Sequence, residues 1–418
     1  MRRTFSAAAA IAATFSIANA ASPQCDTSDK CPQDQPCCSQ YGQCGVGAYC
    51  LGGCDPLSSF NLESCMPAPT CESKDFQLTS LDSVEANSDY LGDASQVDWV
   101  SSGTPVAYNN EAVLLTMAPN TVGTLLMSAH YVWYGKVSTT MTTSQGSGVI
   151  TAFVMMSDVK DEIDFEFVGV DLEAAQTNYY FQGITNYENG ENATVSNTQM
   201  NTHTYEIDWQ PEQITWSIDG QEVRTLTKES TYNDTDKRYH YPQTPSRVQL
   251  SLWPAGLPSN AEGTIQWGGG LVDWNSEYMQ NGYYYAMIKE VTIECYDPPS
   301  GSSSDKSFTF SDDEGLESSV KSGNKGTVLA SLLATGNHPN RDNNQESKPD
   351  VEIVPGISGS GERSIASNRE SSSNSSSASA SGGSSGFSQG SDSTNEASTV
   401  MAGSAVALLG FFVAALML

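Results

Sequence analysis

Residues 161–167 read DEIDFEF, and acidic and apolar side chains alternate strictly along most of this stretch. A period of two is typical of a β-strand, whose successive side chains point to opposite faces. The pattern places Glu162, Asp164 and Glu166 on one face and three large apolar side chains on the other. The apolar face predicts a contact with the core. The acidic face needs a chemical reason, because like charges on one face of a strand repel each other.

Two carboxylates on one face suit the cleavage of a glycosidic bond. A retaining glycosidase holds a nucleophile and an acid/base about 5–5.5 Å apart. Glu162 and Glu166 lie about 13 Å apart along an extended backbone, and their side chains can lean together to close much of that gap. Asp164 between them is placed to orient Glu162 and to raise the proton affinity of a neighbour. The pattern alone leaves open a solvated acidic face or a Ca²⁺ site, although a flat strand lacks the loop that wraps such an ion.

The ends of the 418-residue chain resemble targeting signals. Residues 1–20 have two arginines, an apolar run and a small-residue end, as in a cleaved signal peptide. The tail, residues 396–418, follows a polar stretch, carries no charge from residue 400 onward and favours a removed GPI-anchor signal, with attachment at a small residue between Ser388 and Ser398, Asn395 being the first choice. The alternative is a retained membrane span. We therefore expect a secreted, monomeric protein that meets the membrane only through a GPI lipid, in the plasma membrane or the cell wall.

Charge and cysteine content agree with an extracellular protein. The net charge of −30 argues against nucleic-acid binding, because no basic stripe is present to meet phosphates. Nine of the ten cysteines fall between Cys25 and Cys71, and Cys295 stands far downstream. In a secreted chain this predicts disulfides rather than a metal site. We expect no cofactor and no metal.

The mature chain divides into three predicted parts. Residues 21–70 are too few to fold by apolar burial alone, so disulfides must stabilise them. Residues 71–297 contain short alternating runs separated by turn signals, among them VITAFVMM, RVQLSLW and ITWSIDGQEV, and predict an all-β sandwich of two sheets. Residues 298–395 are rich in Ser, Gly and acidic side chains and predict a disordered stalk. Sequons at Asn192, Asn233 and Asn374 are candidate N-glycosylation sites.

The acidic strand and its neighbours resemble glycoside hydrolase family 16. DEIDFEF matches the family motif E-x-D-x-E, and GSGVITAFVMMSDVKDEIDFEFVG, HTYEIDWQPEQITWSIDG and LSLWPAGL follow as landmarks of its transglycosylating branches. With the cysteine-rich segment and the tail, the chain is most similar to the fungal Crh cell-wall transglycosylases of the Utr2 type. The resemblance implies a curved β-jelly-roll that cleaves chitin and transfers it to β-glucan or chitin. It assigns Glu162 as nucleophile, Asp164 as auxiliary carboxylate and Glu166 as acid/base.

Further sugar-binding residues are predicted around this motif. Trp253 is placed to stack on a sugar ring, and Trp267 to form a platform on the acceptor side. Side chains predicted to hydrogen-bond the sugar are Arg247, Gln249 and Thr264, with Asn178 and Tyr180 on the donor side. Alternation along RVQLSLW places Arg247, Gln249 and Trp253 on one face of their strand. The alternative for each is a packing role.

The segment CPQDQPCCSQYGQCGVGAYCLGGC resembles a hevein-type chitin-binding module. The resemblance implies a sugar site at Ser39, Tyr41 and Tyr49, with a departure at Gln43, where the family often has an aromatic residue. It also implies the pairs Cys25–Cys38, Cys31–Cys44, Cys37–Cys50 and Cys54–Cys65, leaving Cys71 and Cys295 to join the ends of the next domain. The alternative is a disulfide knot that only caps that domain.

Two other functions stay open. A hydrolase of chitin or β-glucan would have the same fold and carboxylates, with water as the acceptor. A non-catalytic lectin would keep the fold and the anchor, but loss of either glutamate would be its simplest mark. The 2-acetamido group of chitin can itself act as a nucleophile, so the covalent role of Glu162 is less secure than its importance.

Overall fold

The computed structural model describes residues 23–301, 304–343 and 353–355, which are folded almost entirely as β-structure. In chain order the strands are β1 (Cys37–Cys38), β2 (Cys44–Gly45), β3 (Ala68–Pro69), β4 (Lys74–Gln77), β5 (Val84–Ala86), β6 (Trp99–Ser102), β7 (Val106–Tyr108), β8 (Ala112–Met117), β9 (Thr124–Val132), β10 (Gly135–Thr142), β11 (Val149–Ser157), β12 (Glu162–Val168), β13 (Ala174–Tyr180), β14 (Glu191–Thr194), β15 (His203–Trp209), β16 (Gln213–Ile218), β17 (Gln221–Thr227), β18 (Tyr232–Asn233), β19 (Arg238–Tyr239), β20 (Ser246–Pro254), β21 (Tyr284–Cys295), β22 (Ser307–Phe310) and β23 (Val320–Gly323). The described α-helix is α1 (Glu262–Trp267), and 3-10 turns lie at Gly47–Cys50, Leu62–Ser64, Tyr187–Asn189, Lys228–Thr231 and Glu317–Ser319.

Two eight-stranded sheets form the body of the protein. The first has the order β17-β16-β15-β10-β21-β8-β7, with β4 also paired to β21. The second has the order β14-β13-β12-β11-β20-β9-β6-β5. Phe153 and Phe165 of the second sheet pack with Tyr205 and Trp216 of the first in one buried core. The all-β, two-sheet fold predicted from the alternating runs is confirmed.

The hairpin at Asp219-Gly220 shows how local sequence sets the register. Asp219 and Gly220 have φ of 53° and 75° and join β16 to β17. Positive φ at both central residues of a two-residue turn matches the right-handed twist of the flanking strands, and Asp-Gly adopts it readily. Ile214 and Trp216 then point into the core, as their alternation predicts.

The N-terminal module, defined here as residues 23–70, is cross-linked as the resemblance implies. The structure contains the disulfides Cys25–Cys38, Cys31–Cys44, Cys37–Cys50, Cys54–Cys65 and Cys71–Cys295. The last of these spans 224 residues and joins the two ends of the β-sandwich.

The predicted start of the disordered stalk, residue 298, is too early, because folded strands follow it. Strand β22 pairs with β23 on one side and with β3 on the other, and Phe308 packs edge-on against Trp133 with ring centroids 5.4 Å apart. Residues 327–341, called the strap below, bury Leu329 and Ala334 against the sheet. The predicted boundary is wrong because composition averaged over a hundred residues hides a few apolar side chains that find a partner surface.

The other terminal predictions fall mostly outside the described residues. The signal peptide, Asn374, Asn395 and the apolar tail lie there. Of the other two sequons, Asn192 is exposed in β14 and Asn233 is half-buried. Within the described part of the chain, no helix is both long enough and apolar enough to cross a bilayer.

Candidate active site

Strand β12 separates its acidic and apolar side chains as the alternation predicts. Phe165 stacks on Phe153 of β11 with centroids 6.2 Å apart, inside the core. Glu162, Asp164 and Glu166 therefore lie on the opposite face, turned away from the first sheet, which we call the outer face. The three residues are only 1%, 1% and 4% exposed. The outer face thus holds a row of three buried carboxyl groups.

Burial and mutual repulsion raise the proton affinity of this row. Burial, and then the charge of Asp164, raise the pKa of Glu162 well above its usual range. Burial raises the pKa of Glu166 in the same direction, reinforced by Asp164 and Glu162. The pKa of Asp164 rises to about 7 through burial, opposed by the positive charge of Arg224 and a backbone hydrogen bond from Asn178. A carboxyl group that stays protonated near neutrality is what proton donation to a leaving group requires.

The two glutamates are left available for a ligand. Both carboxylate oxygens of Glu162 and Oε1 of Glu166 are buried without a hydrogen-bond partner among the described residues. Buried acceptors are normally satisfied, and exceptions point to a functional site. These oxygens can therefore act on a sugar without first breaking a protein hydrogen bond.

Strand β13 borders the row on one side. Its register places Tyr180 opposite Glu162, Asn178 opposite Asp164 and Gln176 opposite Glu166. Asn178 Nδ2 donates a 2.9 Å hydrogen bond to the Tyr180 hydroxyl. The structure thus brings Asn178 and Tyr180 beside the carboxylates, where they were predicted to be.

An aromatic pair closes the Glu166 end of the site. Trp253 of β20 and Trp267 of α1 stack with centroids 6.1 Å apart, and both are half-buried. Trp267 Nε1 donates a 2.9 Å hydrogen bond to Gln176 Oε1. Because Gln176 lies opposite Glu166, this bond fixes the indole near that end of the row. Partly exposed, fixed aromatic rings are suited to stack on a sugar.

Three predicted sugar contacts are positioned differently from expectation. Arg247 is 3% exposed, and its Nε donates a 2.8 Å hydrogen bond to the main-chain oxygen of Ser128. Gln249 Nε2 donates to Gln40 Oε1 of the N-terminal module at 3.2 Å. Thr264 is completely buried in α1. These side chains do not present their polar groups to an open cleft, because protein groups cover them.

The predicted sugar site of the N-terminal module is also covered. Ser39 and Tyr49 are 3% and 1% exposed, and Tyr41 is half-buried. All three line a small cavity that Arg247 lines from the other side. Sugar binding at these residues stays a prediction, and the burial of Ser39 and Tyr49 shows that this side of the module packs against the sheet.

Two positioning residues escaped the sequence analysis. Asp161, directly before the row, accepts hydrogen bonds from the Gln243 and Thr244 N–H groups at 2.9 and 3.1 Å and from Gln182 N–H at 3.0 Å. Arg224 donates from Nη1 to the main-chain oxygen of Thr177 at 2.8 Å. Neither had a local signal, because their partners are distant in sequence.

Gln176 was missed as well, although a signal was present. It alternates with Asn178 and Tyr180 along QTNYY, so the face assigned to those two also includes Gln176. Its carboxamide supports Trp267 rather than a carboxylate.

Comparison with known proteins agrees with this site. Residues 93–269, which include the acidic strand and both stacked tryptophans, match the model of Glycosyl hydrolases family 16. "Crh-like protein 2" of Aspergillus fumigatus is 56% identical over 334 residues, covering 78% of this chain and 75% of its own. The chain belongs to the Crh-like proteins of glycosyl hydrolase family 16. The family predicted from the motif is confirmed.

A second relative and a solved structure agree. "Crh-like protein UTR2" of Candida albicans is 46% identical over 372 residues, covering 85% of this chain and 79% of its own. The structure titled "Crh5 transglycosylase in complex with NAG" is 33% identical with a TM-score of 0.51, covering 64% of this chain and 99% of its own. That solved structure shares the sandwich that carries the acidic strand.

Proposed function

We propose that this Crh-like protein is a retaining transglycosylase of the fungal cell wall, which cleaves chitin and transfers it to a β-glucan or chitin acceptor. The observation that carries the proposal is the row of three buried carboxyl groups on the outer face of β12. All three have side-chain oxygens without a hydrogen-bond partner among the described residues. A related structure titled as a transglycosylase was solved with NAG, which supports a substrate that contains this sugar.

Burial and the neighbouring acids raise the pKa of both glutamates, so the division of roles between them comes from the resemblance to the family motif. Burial and the charges of Asp164 and Glu162 favour the protonated form of Glu166. Glu166 therefore donates a proton to the departing glycosidic oxygen. Glu162 attacks the anomeric carbon and the sugar–oxygen bond breaks, which leaves a glycosyl-enzyme. Glu166, now a base, takes the proton of the acceptor hydroxyl as that oxygen displaces Glu162. Asp164 raises the proton affinity of both glutamates.

Transfer rather than hydrolysis requires that a sugar reach the intermediate before water does. The Trp253–Trp267 pair supports an acceptor site, because a stacked sugar would cover the Glu166 end of the row. Delivery to the cell wall by a GPI anchor and action as a monomer belong to the same proposal.

The test is a product analysis. The purified protein is mixed with a chitin oligosaccharide and a fluorescent β-1,3-glucan or chitin oligosaccharide. The masses of the products are determined by mass spectrometry. A labelled hybrid is the expected result. Shortened chitin without any hybrid across a panel of acceptors would show a hydrolase, and unchanged sugars that still bind the protein would show a lectin.

A further inference from the structure

The N-terminal module lies on the outer face of the second sheet. Leu51 and Met66 of the module form one buried cluster with Leu125 and Met127 of β9, and Leu329 of the strap joins it. The register of β9 against β20 pairs Met127 with Gln249 and Leu125 with Ser251. The module therefore covers part of the face that carries the three carboxyl groups.

Buried hydrogen bonds fix the module in place. Gly53 N–H donates to Asp158 Oδ1 at 2.9 Å and to the Tyr131 hydroxyl at 3.1 Å. The Tyr131 hydroxyl donates to the same Asp158 oxygen at 2.7 Å. Lys160 Nζ lies 3.2 Å from Asp55 Oδ2, with both side chains largely buried. Breaking such contacts would leave buried polar groups unpaired, so this interface resists opening.

The strap holds the module from the other side. Gly47 N–H donates to the Ala334 oxygen, and Gly336 N–H donates to the Ser64 oxygen, both at 2.9 Å. At Gly47, where φ is +65°, a Cβ would lie 2.3 Å from the oxygen of Leu332. Only glycine permits this close approach, so the module is clamped between the sheet and the strap.

The covered area ends sharply along β20. Arg247 lies under Gly52, where a Cβ would come within 2.2 Å of its Nη1, and Gln249 meets Gln40. Ser251 and Trp253, the next two residues on the same face, keep partial exposure. The edge of the module thus runs across the outer face at Gln249.

We infer that the N-terminal module is a fixed barrier across the substrate cleft, and that Gln40 and Gln249 determine how many sugar units fit on that side of the carboxyl groups. Strand β20 lies two strands from β12, which places the barrier about 10 Å from the acidic strand. This inference rests on the proposed function, because it assigns a length limit to the same cleft.

The experiment measures kcat/KM and product lengths for chitin oligosaccharides of increasing length. In the wild-type protein the gain in kcat/KM per added sugar should stop at a defined length. Gln40→Ala should move that limit by one sugar towards longer chains, and Gln40→Trp should move it towards shorter ones. Gln33→Ala is the matched control, because Gln33 lies in the same module and is exposed. Thermal unfolding of each variant verifies the fold.

Each outcome has a distinct meaning. Length profiles of Gln40→Ala and Gln40→Trp that coincide with the wild-type profile would overturn the barrier. A Gln40→Ala variant that turns over every length faster by the same factor would also overturn it, because the module would then be a plug that moves. A wild-type protein that processes no oligosaccharide at all would refute the proposed function, and with it the length limit that depends on that function.

Discussion

Trp216 Nε1 donates a 3.0 Å hydrogen bond to the main-chain oxygen of Asp164. Trp216 belongs to the first sheet and is completely buried, so the core holds the backbone beneath the central carboxyl group. The guanidinium of Arg224 lies 4.7 Å from the Trp216 ring centroid and bonds the oxygen of Thr177 on β13. The strand that carries the chemistry therefore rests on groups from the opposite sheet, which limits its movement during a reaction.

Asp164 sets the pH range of the reaction through its charge. Its negative charge raises the pKa of Glu166, so Asp164→Asn should lower that pKa. The proton donor then loses its proton at lower pH, and the alkaline limb of the pH–kcat/KM profile should move to lower pH. The measurement is this profile for both proteins, with Asp171→Asn, at an exposed position, as control. An alkaline limb that moves upward or stays in place contradicts the role given to Asp164.

Glu162 should destabilise the folded protein at neutral pH. Its folded-state pKa lies above the unfolded value of about 4.3, so the folded state binds its proton more tightly. The resulting penalty is absent below the unfolded pKa and grows as pH rises towards the folded pKa. Glu162→Gln should therefore raise Tm at pH 7 and have a smaller effect at pH 4. The exposed Glu111 provides the control Glu111→Gln; a Tm that falls at pH 7 in Glu162→Gln would refute this account.

Asp161 should be a principal determinant of stability near the site. Its carboxylate also accepts a 2.7 Å hydrogen bond from Thr244 Oγ1, in addition to three backbone bonds. Asp161→Ala leaves buried N–H groups unpaired and should lower the free energy of unfolding by about 3 kcal/mol. Urea unfolding measures the change, with Asp171→Ala as an exposed control. Equal stability of the two variants would mean that solvent replaces these bonds.

Trp253 should act on the acceptor more than on the chemistry. Trp253→Ala removes one half-buried ring of the stacked pair, and we expect KM for the acceptor to rise about tenfold, which equals ~1.4 kcal/mol. Trp253→Phe keeps an aromatic face and should recover part of the affinity. Initial transfer rates at several acceptor concentrations separate KM from kcat. An unchanged acceptor KM in Trp253→Ala, with the fold intact, would remove this residue from the acceptor site.

Local patterns account for the part of the site that the sequence predicted. The alternation at 161–167 and along RVQLSLW determines which side chains share a face, because the period of a strand is two. The alternation assigned Arg247 and Gln249 to the correct face. It carried no information about what covers them, since Gly52 and Gln40 lie about two hundred residues away in the chain.

The stalk boundary shows the same limit. Phe308 lies among polar residues and Leu329 lies in the short apolar run VLASLLA within a polar stretch, and neither segment indicates which surface it packs against. Their burial depends on Trp133 and on the outer face of β9, which only the folded chain brings near. Predictions based on periodicity succeeded here, and those that needed to know which distant surface covers a segment did not.

The most direct test of the central claim compares hybrid formation by the wild-type protein, Glu166→Gln and Glu111→Gln. Each protein is mixed with a chitin oligosaccharide and a labelled acceptor, and the labelled hybrid is measured by mass spectrometry, with Tm as the measure of folding. The account predicts hybrid from the wild type and Glu111→Gln, and loss of it in a folded Glu166→Gln. Hybrid formed by Glu166→Gln at the wild-type rate would contradict the assignment of the chemistry to this row of carboxyl groups.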